Sequence, residues 1–198
     1  MTNINGKVYA MNAITPMKWW KTWIVRLFFF GLGAIKPARK DLVQLSFIHF
    51  ARWVIIKRRK FPQVAPQQPA EDLRYDYLLF FSNFNGTWNQ YIDAFSAVLS
   101  RGLNLIWCWS EKFPGSVPVT PFKQYIARCQ FDTDYYYTAY PYATTNDVKA
   151  AHRVQAALDA FEKESAGKSP EEFGRAYLKF LVAVQRDLGE TGKAPVGT

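Results

Sequence analysis

The residues able to do chemistry are few. The two histidines, His49 and His152, are the candidates for an acid–base or ligand role, and no catalytic residue can be fixed. His49 stands among Phe47, Phe50 and Trp53, where a satisfied core histidine is expected before a ligand or base. His152 sits beside Arg153 in a helical pattern and is expected at the surface or in packing between elements. Neither has a carboxylate three or four residues away, and Asp147, five residues before His152, is no substitute, so no metal site is expected. Cys108 and Cys129 lack CxxC spacing, which predicts neither a disulfide framework nor zinc and suggests a reducing compartment. Cys108, between Trp107 and Trp109, reads as a buried small hydrophobe. There is no GxSxG turn. Ser82, Asn83, Asn85 and Trp88 form the best polar cluster. With His49, Trp53, Tyr137 and Tyr140 they are the ligand-pocket candidates, although for the cluster capping the next helix is expected before ligand binding. The tyrosines from Tyr135 to Tyr142 could line a cavity or cover a sheet.

A second kind of chemistry is physical. Lys18 to Ile35 reads KWWKTWIVRLFFFGLGAI and interleaves Trp19, Trp20, Trp23, Phe28 and Phe29 with Lys18, Lys21 and Arg26. On a helix the cations take one narrow side and the aromatics the remainder. Such a segment is either a core helix or an apolar face that meets a membrane or a partner. The formal charge of +9 is concentrated here: between Lys18 and Lys60 eleven Lys or Arg stand against Asp41 alone. The turn Lys57, Arg58, Arg59, Lys60 could add attraction to an anionic leaflet, or be a merely solvated loop. Nucleic acid is the less expected partner, because a groove-tracking surface has no use for a Phe-Phe-Phe run. Tryptophan with Lys and Arg matches a membrane interface better.

Spanning the bilayer is not expected. The uncharged run Leu27 to Ile35 is far below the roughly 20 residues required, and a longer count from Trp19 encloses Lys21 and Arg26. The opening MTNINGK is polar and predicts no cleavable leader.

These groups must be positioned by a framework. Val8 to Ile14 alternates as a strand, followed by a helix over 17–35 opened by Pro16 and stopped by Pro37. A basic turn or helix is expected from Ala38 to Gln44. Phe47 to Ile56 reads as a second strand with Phe47, His49, Ala51, Trp53 and Ile55 on one face. The proline-rich Lys57 to Ala70 must be an exposed loop, and Tyr77 to Phe84 a third strand. Asn85-Gly86-Thr87 supplies a turn and cap for a helix through Trp88, Tyr91, Ile92, Phe95 and Leu99 that ends at Gly102, and Leu103 to Trp109 reads as a fourth strand. The resulting βαββαβ order predicts an α+β, ferredoxin-like antiparallel sheet. Its uncovered face needs a second layer, supplied by a homodimer or by C-terminal helices. A short helix over Pro121 to Gln130 and an aromatic segment from Asp134 to Tyr142 complete a domain of residues 1–143. Helices capped at Thr144 or Thr145 and at Ser169 occupy 144–188, before a disordered tail at 189–198.

At SFIHFARWVII, LLFFSNFNGTWNQYIDAF and YYYTAYPYATTNDVKAAHRVQAAL the chain resembles a poorly characterised bacterial group of the dimeric α/β-barrel, ferredoxin-like superfamily. That superfamily includes dye-decolourising peroxidases, chlorite dismutases, cofactor-free monooxygenases and a mycobacterial transport factor for trehalose monomycolate. The resemblance implies a fold and a possible homodimer, while no catalytic motif carries over. The expected function is an accessory protein, cytoplasmic and peripheral to the inner face of the membrane, needing no cofactor and binding a lipid or a membrane protein. The alternative is a haem-dependent or small-molecule oxidoreductase.

Overall fold

The computed structural model describes residues 3–34, 46–63 and 65–188. The expected basic element at Ala38 to Gln44, the stop at Pro37 and the tail at 189–198 lie outside them. Within them the chain is α+β, with a five-stranded antiparallel sheet and five α-helices.

The sheet is built on two ten-residue strands. β1 (Ile4–Asn5) turns at Gly6 into β2 (Val8–Met17). β3 (Ile48–Ile56) and β4 (Asp76–Asn85) follow, and the order is β1-β2-β4-β3. β2 and β4 pair without interruption from Val8↔Asn85 to Met17↔Asp76. The far edge of β2 also takes β5 (Gln130–Phe131), through Asn12↔Phe131 and Ala13↔Gln130. Gly6 holds φ +62, and a Cβ there would lie 2.0 Å from the carbonyl oxygen of Pro141, so the turn admits no side chain.

Leu103 to Trp109 is not a strand. α2 (Trp88–Trp107) runs through Gly102 and bends at Leu99, whose φ −112 and ψ 19 leave the helical region. Helix spacing explains this: Leu103, Ile106 and Trp107 are buried at i, i+3 and i+4, continuing the face begun by Tyr91, Ile92 and Phe95. A β-reading would have put Leu105 with Leu103 and Trp107, yet Leu105 is 49% exposed. Gly102 meets nothing within 4 Å and is simply tolerated.

One sheet face carries the helices. α1 (Thr22–Ala34) follows a 3-10 turn, Trp19–Lys21, and contributes Val25; α3 (Val119–Cys129) contributes Phe122 and Ile126. They join α2 over Met11, Ala13, Met17, Leu78, Phe80 and Phe84 in one core. Aromatic rings dominate it: Phe84 stacks on Tyr91 at 3.9 Å between centroids, and Phe80 meets Trp53 at 5.0 Å and Trp107 at 5.2 Å.

The opposite face is only partly covered. Residues 132–143 cross one end, where Asn12 Nδ2 donates to Thr133 Oγ1 (2.6 Å), Asn5 Nδ2 donates to the Tyr136 carbonyl (3.0 Å) and Asn83 bonds the Tyr136 hydroxyl. Ile14, Phe50 and Val54 remain exposed. The last two helices, α4 (Thr145–Ser165) and α5 (Pro170–Val184), pack on each other through Phe161, Phe173, Tyr177 and Phe180. Capping boxes start both, Thr144 with Asp147 and Ser169 with Glu172.

Candidate functional site

The aromatic segment at 19–30 is divided by its own helix geometry. Thr22 and Val25, 2% and 0% exposed, point into the protein, and Phe28 and Phe29 pack against the core, Phe29 at 6.0 Å from Trp53. Trp19, Trp20, Trp23, Leu27 and Phe30 are exposed, from 47% at Trp20 to 80% at Phe30. Phe28 and Phe29 therefore do not belong to the outward surface. Leu27 and Phe30 take that place, in a stripe with Trp23 at i, i+4 and i+7. Their spacing from Trp23 was the signal that could have found them. Lys18 and Arg26 are exposed on the same segment.

A buried carboxylate fastens the basic turn to this helix. Asp76, 3% exposed at the start of β4, accepts a hydrogen bond from Thr22 Oγ1 and another from the Arg58 backbone N–H at 2.8 Å. The first turn of α1 and the turn after β3 are thus held on one anion. Arg58 then lies 5.5 Å over the Trp19 ring, and Lys21 lies 5.6 Å over Trp20. Lys57 and Arg58 are half-buried, Arg59 and Lys60 exposed. Lys21 also faces Glu111, with Nζ 3.5 Å from Oε1. Two stretches distant in sequence become one surface of exposed indoles and cations.

The polar cluster expected at the end of β4 is tied into bonds between elements, with Asn85 lining one cavity and Trp88 another. Ser82 accepts from the buried Tyr91 hydroxyl at 3.0 Å, and Trp88 Nε1 donates to Gln130 Oε1 at 2.7 Å. Burial pushes the Tyr91 hydroxyl far above its ordinary pKa, against the pull of the Ser82 bond. Asn85 Nδ2 donates to the Lys7 carbonyl at 2.8 Å, and its Oδ1 accepts from the Thr145 N–H at 3.1 Å, tying the end of β4 to the turn before β2 and to the start of α4. Asn83 holds Tyr136, whose phenol is raised by its covering more than the bond lowers it. The helix cap is Thr87, in a capping box with Gln90. Tyr137 and Tyr140 are exposed, 70% and 76%. Trp53 lies against Phe80, Trp107 and Phe29, its buried Nε1 without a hydrogen bond.

His49 is not a core residue. It is the extra residue of a bulge, since Ile48 faces Phe84 while Phe50 already faces Asn83. The bulge breaks the expected alternation: Ala51, Trp53 and Ile55 face the helices, and His49 stands exposed at the strand's start. Partial covering of its ring holds the imidazole below its usual pKa, opposed in part by a bond to Asn85. A cavity of about 280 Å³ near Asn85 is lined by Gly86, Gln90 and Thr145, but not by His49. His152 is exposed on α4. Neither histidine lines one of the cavities described among these residues. Cys108 is exposed rather than buried, and its thiol is raised by covering more than the Lys21 charge lowers it, so it is no activated nucleophile. Among the described residues no group of three His, Cys, Asp or Glu could hold a metal ion, and no helix is long and apolar enough to cross a membrane.

No family model, no curated protein and no solved structure matches this chain.

Proposed function

We propose that the protein is an accessory factor that docks on a membrane surface through α1 and the turn after β3, lying in the interface without spanning it. One observation carries this reading: Trp23, Leu27 and Phe30 project from a helix whose other side is anchored in the core, beside indoles capped by Arg58 and Lys21. A helix needed only for packing has no reason to expose its largest apolar side chains together. Each of the five exposed residues still has about half of its burial to gain, on the order of 1 kcal/mol apiece. Cations near an anionic leaflet add roughly 1 kcal/mol each, a part that salt weakens. The corresponding location is peripheral, on the cytoplasmic face, with a lipid or membrane protein as partner.

The strand order supports the finer reading of a ferredoxin-like sheet, with β5 on the edge of β2 that a fourth strand would take. The exposed Ile14, Phe50 and Val54 support a homodimer closed over that face, which a monomeric mass in light scattering would exclude. Co-sedimentation with phosphatidylglycerol-containing vesicles tests the docking. The variant Trp23→Ser, Leu27→Ser, Phe30→Ser should stay folded and remain in the supernatant; equal pelleting of variant and wild type would end the proposal.

A further inference from the structure

The helices α4 and α5 do not cover their apolar stripes by packing on each other. α4 buries none of its 21 residues, and α5 buries only Ala176 and Val184. With Phe180, whose ring stacks on Phe161 of α4 at 5.2 Å, those two mark the inner side of α5. At about 100° per residue, Gly174, Leu178, Leu181 and Val182 fall on the outer side. Leu178 is 63% exposed and Val182 72%. A Cβ added at Gly174 would meet nothing within 4 Å. Glycine inside a helix weakens it, and an open glycine beside two exposed aliphatic residues suits a face that another chain approaches closely.

The charges at the two ends of this stripe identify the other chain. Glu171 precedes Leu178 by seven residues and Arg186 follows Val182 by four, which keeps both on the same side of the helix. The turn after α5 holds helical bonding as far as Leu188, whose N–H donates to the Val184 carbonyl at 3.2 Å, so Arg186 continues that side. Both are exposed, and neither forms an ion pair or hydrogen bond among the described residues. Acid at one end, base at the other and aliphatic residues between form a pattern that complements itself when a second copy lies antiparallel about a two-fold axis. With the axis between Leu178 and Val182, each Leu178 meets Val182 of the other copy, and each Arg186 lies opposite the open space at Gly174. Glu171 and the Arg186 of the other copy are then offset by three residues, about 4.5 Å along the helix, which two long side chains span. We propose that α5 is a self-association surface, pairing antiparallel with α5 of a second copy through Leu178 and Val182 and through a Glu171–Arg186 pair at each end. This contact is separate from the sheet face and independent of membrane docking.

The test is sedimentation equilibrium of the full chain, without vesicles, over a range of loading concentrations. The wild type should self-associate, and Leu178→Asn with Val182→Asn should abolish this contact while leaving the fold intact, since both side chains are exposed. Where the sheet face also associates, the same variant should halve the particle mass. Arg186→Glu should weaken association roughly tenfold, because two symmetric surface pairs turn from attraction to repulsion, and Glu171→Arg should do the same. The two changes together should restore association. They lie about 22 Å apart on one helix and cannot touch within a chain, so restoration reports a pair between copies. The swapped charges oppose the helix dipole at both ends, so the melting temperature should not recover with association, which separates pairing from a structural effect. A monomer at every concentration, association that survives Leu178→Asn with Val182→Asn undiminished, or a charge swap that fails to restore it overturns the proposal. Loss of vesicle pelleting in the Leu178→Asn, Val182→Asn variant of a monomeric protein would assign the face to the membrane instead and equally overturn it.

Discussion

Substituting Thr22 or Asp76 tests how the aromatic helix is held. Asp76 is 3% exposed and Thr22 2%, so neither the carboxylate nor the hydroxyl can turn to water when its partner is removed. Thr22→Val keeps the shape and deletes one of the two bonds to the carboxylate. A hydrogen bond to a charged group contributes about 1.5–3 kcal/mol, and the loss should fall in that range. Asp76→Ala removes the shared acceptor and strands both the Thr22 hydroxyl and the Arg58 N–H. At about 1–3 kcal/mol for each unsatisfied donor, plus the space left behind, it should cost about 3–5 kcal/mol. Urea denaturation followed by far-ultraviolet circular dichroism reads both, as a shift in midpoint at constant slope. Asp76→Ala should also reduce vesicle binding in the fraction still folded, because Arg58 is no longer set over Trp19. The reasoning fails if Thr22→Val lies within about 0.5 kcal/mol of wild type, the range of an ordinary surface change, or if Asp76→Ala is no worse than Thr22→Val.

Three further expectations concern the frame around this site. Thr87→Ala should cost about 1 kcal/mol by loss of its capping box, and Asn85→Ala more, since it unties both Lys7 and Thr145; equal midpoints in a thermal melt for these two variants would contradict this. Gly6→Ala should destabilise by more than about 1 kcal/mol, combining left-handed strain with a clash on Pro141; proton exchange at the Lys7 amide, which donates to the Pro141 carbonyl at 2.7 Å, should quicken, and an unchanged rate would count against it. His49 should titrate below 6.5 by NMR. Its folded form prefers the neutral ring, so a penalty on stability sets in as pH falls through 6.5 and is complete below the folded value. His49→Gln should flatten that dependence, and a midpoint above 6.5 would reverse the sign.

The long strands, the caps at Thr87, Thr144 and Ser169 and the exposed proline-rich loop were legible because each is written locally, in alternation, in S/T-x-x-D/E/Q spacing or in prolines. Leu103 to Trp109 misled because LNLIWCW is a short apolar, aromatic run that follows a glycine. The helical steps from Phe95 through Leu99 and Leu103 to Ile106 were present in the same letters, and burial follows those steps. β5, two residues long, carries too little pattern to be read at all. The bulge at His49 inverted a face assignment, since a single inserted residue shifts every earlier side chain by one. Within the candidate site, the aromatic stripe and the basic turn were each visible, but not their union. That union depends on Asp76, which lies 54 residues from Thr22 and 18 from Arg58, separations with no local signature. Phe28 and Phe29 were misplaced for a related reason: an aromatic run labels no residue as inner or outer until Val25 and Thr22 fix the helix's rotation.

Quenching of tryptophan fluorescence by lipids brominated near the top of the acyl chain bears most directly on membrane docking. Vesicles of such lipid with phosphatidylglycerol should quench the wild-type protein. Trp23→Phe should still bind them, keeping an aromatic ring in the stripe, but lose a large share of the quenched signal, because its ring at 62% exposure is the most exposed of the indoles on that surface. Fluorescence unaffected by brominated vesicles, or quenching that Trp23→Phe leaves intact, would contradict the assignment of α1 to the membrane interface.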